Sequence, residues 1–251
     1  MKRLEIIGLE GLGEVESGVS IGGLIHQSCH RTGINLATGD ILVIAHKVVS
    51  KAEGHTVRLD EITPSPRALE LSRELDKDPS LLEIILGESR RIIRKGRGTI
   101  IVETHHGFIC ANAGVDLSNA GLGRAVLLPK DPDRSAQGIR EEIGRLSGIS
   151  PGVIVSDSFG RPWRLGTTDV AIGVAGLDPL VDYRGMADSY GYELKGSVTA
   201  LADEIASAAA LVMGKSDGVP VVLVRGIQIE SEKGGGRKLL RPEADDLFRK
   251  F

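Results

Sequence analysis

The stretch VTALADEIASAAALVMGKSDGVPVVLV, residues 198–224, joins a helical pattern to a strand pattern through a polar loop. Apolar residues recur at the helical period over 198–213 and form one apolar stripe, whose alanines permit close approach to a sheet or to a partner helix. Gly214 stands where a glycine ends a helix. Residues 219–224 form a short Val-rich run typical of a buried strand. The stretch therefore predicts a helix followed by a strand.

The rest of the chain adds more elements of both kinds without a regular alternation. Short Val- and Ile-rich runs predict strands at residues 41–50, 99–103, 107–111, 124–128, 152–156 and 170–174. Helical patterns predict helices at residues 20–31, 66–75, 79–93, 134–147 and 242–249. Several strands follow one another directly, which favours an α+β (mixed α/β) fold with mixed sheets and packed helices. A length of 251 residues suits one large domain or two intimately packed ones, and we expect residues 1–251 to form a single catalytic unit.

Composition excludes several classes of protein. The formal net charge is −3 and no basic run occurs, so a general nucleic-acid binder is not expected. No apolar stretch approaches the roughly 20 residues that span a bilayer, and the N-terminus lacks the apolar core of a signal peptide. The chain has two cysteines, Cys29 and Cys110. A disulfide between them stays open, but two thiols fit a reducing compartment better, so we expect a cytoplasmic protein.

Two acidic motifs follow predicted strands. In residues 110–119, Asp116, Ser118 and Asn119 offer the oxygen donors that Mg²⁺ and Mn²⁺ prefer, although such residues also form Asx-turns and helix caps. The second motif is SDSFGRPWRLG, residues 156–166. Its Asp157 ends a buried strand beside a hydroxyl, an arrangement that suits a metal–phosphate site. An aspartate that only caps a turn is the alternative.

Two arginines and two lysine-bearing segments add candidate anion contacts. Arg161 and Arg164 carry planar guanidinium groups that suit phosphate or carboxylate, unless both are simply solvated. Lys47 and Lys51 lie at the end of the predicted strand 41–50 and are candidate phosphate contacts, although lysines at strand ends are often only exposed. The loop MGKSDG, residues 213–218, offers backbone N–H groups to a phosphate, but an ordinary connection looks the same.

These motifs together resemble a known family. The segments VVSKAEG (residues 48–54), NAGVDLSN (residues 112–119) and residues 156–166 are similar to coenzyme F420-0:L-glutamate ligases, the γ-glutamyl ligases. Further similar segments follow in order at residues 182–194, 202–206, 213–214 and 224–226. The matches run over nearly the whole chain, which makes the set far more specific than any one motif.

The resemblance implies a GTP-dependent enzyme that adds L-glutamate to coenzyme F420-0 and then a second, γ-linked glutamate to F420-1. It implies Mg²⁺ or Mn²⁺ and stimulation by K⁺. It also implies a homodimer with an intertwined two-part subunit, and we expect no C-terminal flavin-binding extension. Two alternatives stay open: the same chemistry on another acceptor, and a metal-dependent phosphohydrolase. A non-catalytic oligomeric scaffold is a third.

Residue roles follow from the resemblance position by position. It implies metal ligands at Asp116, Asp157 and Ser158. It implies nucleotide contacts at Glu10, Gly11, Leu12, Gly13, His46, Lys51, Asn119, Met213, Gly214, Lys215, Ser216, Asp217, Gly218 and Val219. We assign the catalytic steps to Lys51, Arg161 and Arg164. Two positions depart from the family pattern: His46 replaces a small hydroxyl residue, and Lys215 replaces a Glu or Gln that completes the metal site, which leaves the number of metal ions open.

Overall fold

The central sheet is built from the Val- and Ile-rich runs of the sequence. A computed structural model of the chain describes residues 3–96, 98–229 and 234–248. Its strands are β1 (Glu5–Gly8), β2 (Ile41–Ala45), β3 (Thr56–Arg58), β4 (Ser89–Gly96), β5 (Thr99–Thr104), β6 (Ile109–Ala111), β7 (Arg124–Val126), β8 (Gly152–Arg161), β9 (Arg164–Ala175), β10 (Val181–Asp182), β11 (Val198–Thr199) and β12 (Val221–Arg225). Its helices are α1 (Ile21–Thr32), α2 (His46–Ala52), α3 (Pro66–Leu75), α4 (Pro79–Gly87), α5 (Pro132–Ser147) and α6 (Leu201–Met213).

Five strands form the central sheet in the order β1-β12-β2-β8-β9. The pair β2–β8 is parallel and the other three pairs are antiparallel. The mixed sheet with packed helices confirms the predicted α+β (mixed α/β) class. β2 and β8 run in the same direction, and β2 ends at Ala45 opposite Ser156, whereas β8 continues past this edge of the sheet to Arg161.

Both faces of this sheet are buried. Because side chains alternate along a strand, Leu42 and Ile44 pack on one face with α1, α2 and α5, whereas Ile41 and Val43 pack on the other with α6. The alanine stripe of α6 (Ala202, Ala206 and Ala209) is fully buried in that second cluster. Its small side chains allow the helix to lie close to the sheet, as predicted.

Residues 57–127 form a second part of the subunit, inserted between the neighbouring strands β2 and β8. This part contains α3, α4, the sheet β4-β5-β6 and the pair β3-β7 around its own hydrophobic cluster. Ser65 and Asp78 cap its two helices by accepting hydrogen bonds from backbone N–H groups at the first turn. No helix within 3–96, 98–229 and 234–248 is long and apolar enough to span a membrane.

Two predicted elements were wrong in part. The strand predicted at 41–50 ends at Ala45, where α2 begins; its Val48 and Val49 are β-branched but face the core from a helix. The helix predicted at 79–93 ends at Gly87, and the residues after it form β4, which pairs with β5. In both cases tertiary packing decides between patterns that are locally ambiguous.

The C-terminal prediction was also wrong in part. In place of a helix over 242–249, the described residues contain a single 3-10 turn, Glu243–Asp245, and residue 249 lies outside them. The turn is held by hydrogen bonds from Asp245 N to the Pro242 carbonyl and from Asp246 N to the Glu243 carbonyl, which are of the 3-10 kind rather than the α-helical kind. Helix α6 begins at Leu201 rather than at 198, because Val198 and Thr199 pair with β10.

Candidate functional site

A cavity of about 280 Å³ opens at the carboxyl end of β2, beside the middle of β8. The β1–α1 connection, the start of α2, the β8–β9 hairpin and the α6–β12 loop all contribute to it. Its lining residues are Gly13, Glu14, Val15, Ala45, His46, Lys47, Val48, Lys51, Asn119, Ser156, Asp157, Ser158, Asp169, Met213, Gly214, Lys215, Ser216, Gly218, Val219 and Pro220. Three lysines and three carboxylates therefore face one small space, a composition suited to an anionic ligand with a cation.

Asp157 and His46 form the inner end of the cavity. The Nε2 atom of His46 lies 3.3 Å from Oδ1 of Asp157, and the backbone N–H of Ser158 donates to the same oxygen at 2.7 Å. His46 is 2% exposed, yet its Nε2 has no hydrogen-bond partner of good geometry, and the buried Oγ of Ser156 has none either. Buried polar atoms are normally hydrogen-bonded, so these two mark an incomplete polar site.

Ser158, Asp169 and Lys215 form a second group, on the β8–β9 hairpin and the loop after α6. Ser158 and Asp169 are cross-strand partners, and the Ser158 Oγ–H donates to Asp169 Oδ1 at 2.6 Å. Lys215 Nζ donates to Ser158 Oγ at 2.6 Å and lies 3.4 Å from Asp169 Oδ1. Asp169 is buried, so the lysine supplies the counter-charge that a desolvated carboxylate needs.

Asp116 lies behind the lining residue Lys47. Lys47 Nζ is 2.6 Å from Asp116 Oδ2 and donates to Ser118 Oγ at 2.5 Å. Burial acts to raise the pKa of Asp116, but the hydrogen bonds from Lys47 and from the Ser118 N–H outweigh it and hold that pKa below its ordinary value. Asp116 is therefore ionised at neutral pH. Asp116 also accepts a hydrogen bond from the Ser118 N–H, as in an Asx-turn. It therefore shapes the turn, as the alternative interpretation predicts, and also lies next to the cavity.

The structure brings most of the predicted contacts together. The predicted residues that line the cavity are Gly13, His46, Lys51, Asn119, Asp157, Ser158, Met213, Gly214, Lys215, Ser216, Gly218 and Val219. The predicted residues outside the lining are Glu10, Gly11, Leu12, Asp116, Arg161, Arg164 and Asp217. Of the latter, Leu12 is a core residue, and the carbonyl groups of Glu10 and Gly11 accept hydrogen bonds from Ser28 and Arg31. These contacts are structural, and the nucleotide roles of Glu10, Gly11 and Leu12 stay predictions.

Arg161 and Arg164 lie at the far end of the β8–β9 hairpin. Both are exposed, and Arg161 Nη2 donates to the carbonyl of Leu165 within the hairpin. The turn between them carries Trp163 in a left-handed backbone conformation, with φ of 59°. Neither arginine lines the cavity, so the catalytic role of Arg161 and Arg164 stays a prediction without support from this geometry.

Sequence reasoning missed two carboxylates in the lining, Asp169 and Glu14. Asp169 directly precedes the predicted strand at 170–174, and a charged residue at the start of an apolar run was the available signal. Its partner Ser158 is known only once the hairpin register is known. Glu14 accepts from Lys51 at 3.3 Å, and nothing in its glycine-rich surroundings distinguishes it from a solvated acid.

The side chains present fit a divalent metal ion that is shared with a phosphate ligand. No group of three or more His, Cys, Asp or Glu side chains among the described residues is arranged to enclose a metal ion. Mg²⁺ is commonly held by one or two carboxylates together with substrate phosphates and water rather than by a cage of side chains. Asp157, with the unpartnered His46 Nε2 beside it, offers an anionic oxygen of this kind in the cavity.

Comparison with known proteins places this cavity in a family. The sequence model of the F420-0:gamma-glutamyl ligase family matches residues 11–226, which include every residue of the cavity lining. The chain belongs to this family. The resemblance predicted from the ordered motifs is therefore confirmed, and of the predicted site residues only Glu10 lies outside the matched range.

Relatives of the F420-0:gamma-glutamyl ligase family match over the full length. A protein of Methanothermobacter thermautotrophicus named coenzyme F420:L-glutamate ligase is 49% identical over 98% of this chain and 99% of its own. Proteins of the same name from Methanocaldococcus jannaschii and Methanopyrus kandleri are 45% and 46% identical. The alignment with the M. jannaschii protein covers 99% of this chain and 98% of that protein. The alignment with the M. kandleri protein covers 98% of this chain and 97% of that protein.

In this chain, the two positions that depart from the expected family pattern both line the cavity. His46 begins α2 and contacts Asp157, while Lys215 contacts Ser158 and Asp169. Both therefore touch residues of the predicted metal site. The two unusual residues therefore lie in direct contact with the carboxylates and the hydroxyl group of the site.

Proposed function

We propose that this chain is a GTP-dependent coenzyme F420:L-glutamate ligase. It joins L-glutamate to the carboxylate of coenzyme F420-0 and then adds a γ-linked glutamate to F420-1. Family membership supports the ligase class, and full-length relatives carry the name of this activity. The observation that carries the proposal is the cavity in which Lys47, Lys51 and Lys215 face Asp157 and Asp169, since a triphosphate with its metal ion needs both signs of charge.

The chemistry requires activation of a carboxylate. A carboxylate is a poor electrophile because its negative charge repels the attacking amine. In the proposed reaction an acceptor carboxylate oxygen attacks the γ-phosphorus of GTP, the bond to the β-phosphate oxygen breaks, and GDP leaves. The amine of glutamate then attacks the acyl carbon of the acyl phosphate. The carbon–oxygen bond breaks, inorganic phosphate leaves, and the amine proton passes to solvent.

Residues of the cavity have distinct proposed tasks. Lys51 lies beside the β1–α1 connection and offsets negative charge on the transferring phosphoryl group. Backbone N–H groups of the loop that follows Met213 bind phosphate oxygens, as polar glycine-flanked loops do. Asp157 would hold Mg²⁺ or Mn²⁺, whereas Asp116 and Ser158, the other two ligands implied by the resemblance, contact Lys47 and Lys215. When bound, the metal ion neutralises charge on the β- and γ-phosphate oxygens. We also propose GTP as the nucleotide and K⁺ as an activating ion, following the family pattern.

The two hairpin arginines are proposed to bind an acidic group of a substrate. A guanidinium binds a carboxylate or phosphate through two parallel hydrogen bonds. Because Arg161 and Arg164 lie outside the cavity lining, they reach a substrate only if the acceptor extends along the hairpin or if a second subunit supplies it. This arrangement is compatible with the homodimer that we propose for this protein. We place the enzyme in the cytoplasm, where the nucleotide is available.

Mass spectrometry of the product tests the function. We expect F420-0 incubated with GTP, Mn²⁺, L-glutamate and the protein to gain the mass of one or two glutamyl units. GDP release should depend on glutamate, whereas glutamate-independent release of GDP would favour a phosphohydrolase. Asp157→Ala should abolish both signals, while Asp245→Ala, an exposed aspartate outside the cavity lining, should leave them unchanged. Normal turnover of Asp157→Ala would refute the assignment.

A further inference from the structure

We infer that Lys215 is a permanent cation of the Ser158–Asp169 corner, so that this enzyme binds one divalent metal ion with its nucleotide rather than two. The inference rests on the proposed function and concerns the same cavity. Enzymes that transfer phosphoryl groups often use two metal ions in one site. The cavity and its immediate surroundings offer three aspartates, Asp116, Asp157 and Asp169, and the question is which of them remain open to a metal ion.

The Ser158–Asp169 corner is already filled. The Ser158 hydroxyl donates a hydrogen bond to Asp169 Oδ1, with 2.6 Å between the two oxygens. It accepts a hydrogen bond from Lys215 Nζ, which lies 2.6 Å from Ser158 Oγ. The ammonium lies 3.4 Å from the same Asp169 oxygen, so the three groups close a triangle. A divalent ion bound to Ser158 Oγ at the usual metal–oxygen distance of roughly 2.0–2.6 Å would occupy the space of the ammonium. One cation therefore excludes the other.

The two members of the Lys215–Asp169 ion pair differ in burial. The Asp169 side chain is 10% exposed, so water screens its charge poorly and a counter-charge must stay close. The Lys215 side chain is 70% exposed, because it enters the corner from the α6–β12 loop at the mouth of the cavity. An ammonium has three N–H donors, of which Ser158 and Asp169 engage two. The same group can thus hold the corner and donate to a phosphate oxygen.

The other two aspartates differ in their partners. Asp116 has its own ammonium, since Lys47 Nζ lies 2.6 Å from Oδ2. In contrast, no lysine or arginine of the described residues lies within ion-pair distance of Asp157, whose close contacts are the Ser158 N–H and His46. Two of the three aspartates are paired with a lysine, as is the lining residue Glu14 with Lys51, and only Asp157 is not. The charge pattern of the cavity accordingly leaves a single place for a divalent ion, at Asp157.

The number of metal ions per nucleotide tests this inference without a turnover measurement. Equilibrium dialysis with Mn²⁺ and GDP, each quantified against protein, should give one Mn²⁺ and one GDP per wild-type chain. Lys215→Glu removes the ammonium and adds a carboxylate, so it should bind two Mn²⁺ per GDP, with the second ion bound at least about tenfold more tightly than by wild type. Lys195→Glu is the matched control: Lys195 is exposed and outside the lining, and its variant should keep one Mn²⁺.

The outcomes separate the inference from the function on which it rests. Two Mn²⁺ per GDP in the wild type would overturn the inference while leaving the ligase proposal intact. One Mn²⁺ in Lys215→Glu with one GDP bound would overturn it as well. If Lys215→Glu fails to bind GDP, Lys215→Gln decides: a measurable second Mn²⁺ supports the inference and its absence refutes it. A wild-type chain that binds neither Mn²⁺ nor GDP would refute both proposals.

Discussion

Replacing Asp169 with alanine tests whether the hydrogen bond from Ser158 stabilises the acidic corner of the cavity. In the native protein the buried Asp169 carboxylate accepts a hydrogen bond from the Ser158 hydroxyl across the β8–β9 hairpin, with 2.6 Å between the oxygens. The Lys215 ammonium lies on the same oxygen at 3.4 Å. The alanine variant removes the acceptor of the hydroxyl and the counter-charge of the lysine in one step.

The expected loss of stability follows from these contacts. A hydrogen bond to a charged group contributes about 1.5–3 kcal/mol. The ion pair with Lys215 adds little, about 0–1 kcal/mol, because the lysine side chain is 70% exposed. Removal of a desolvated carboxylate returns part of this sum. We therefore expect Asp169→Ala to lower the free energy of unfolding by about 2 kcal/mol.

A double-mutant cycle in guanidinium chloride isolates the interaction. Free energies of unfolding of wild type, Asp169→Ala, Ser158→Ala and the double variant should give a coupling of at least about 1 kcal/mol. Glu70→Ala, in an exposed pair on α3, should change stability by no more than about 0.5 kcal/mol. A coupling near zero, or an Asp169→Ala variant more stable than wild type, would refute the reasoning. The second result would mean that repulsion between Asp157 and Asp169 outweighs the hydrogen bond.

Three further predictions address other groups. Lys47 lowers the pKa of Asp116. The Lys47–Asp116 interaction therefore contributes to stability above the ordinary aspartate pKa of 3.8, and this contribution is lost as the pH falls through the lower pKa of the folded state. The stability difference between wild type and Lys47→Gln in urea should accordingly vanish in strong acid, and a difference that persists there contradicts this account. Burial, with a contribution from the nearby Asp157 charge, raises the pKa of Cys110 to about 12, so this thiol should resist iodoacetamide at pH 8 until the protein is unfolded. Asp40→Asn breaks an ion pair between the buried Asp40 and the partly exposed Arg225, two nitrogens of which donate at 2.7 Å, and should cost about 3 kcal/mol in urea unfolding. If Asp40→Asn unfolds with wild-type stability, the Asp40–Arg225 ion pair does not stabilise the fold.

The sequence alone was sufficient for the fold class and for much of the cavity, because those features are encoded locally. Alternation of Val and Ile runs with glycine identifies strands, and the helical spacing of alanines identifies α6. An aspartate that ends an apolar strand is visible as a pattern, so Asp157 and Ser158 could be chosen in advance. It was the family resemblance of the ordered motifs, rather than any local pattern, that assigned Lys51, Asn119 and the loop after Met213 to one site.

Tertiary structure alone decided the partners of these residues. Lys47 and Asp116 are far apart in the chain and meet because residues 57–127 are inserted between adjacent strands. Asp169 faces Ser158 because of the hairpin register, which a short pattern does not specify. The carboxyl end of the predicted strand at 41–50 was wrong for a related reason: β-branched residues pack in either element, and long-range contacts decide between helix and strand. Which carboxylate carries a lysine, and which stays open to a metal ion, depends on these long-range contacts.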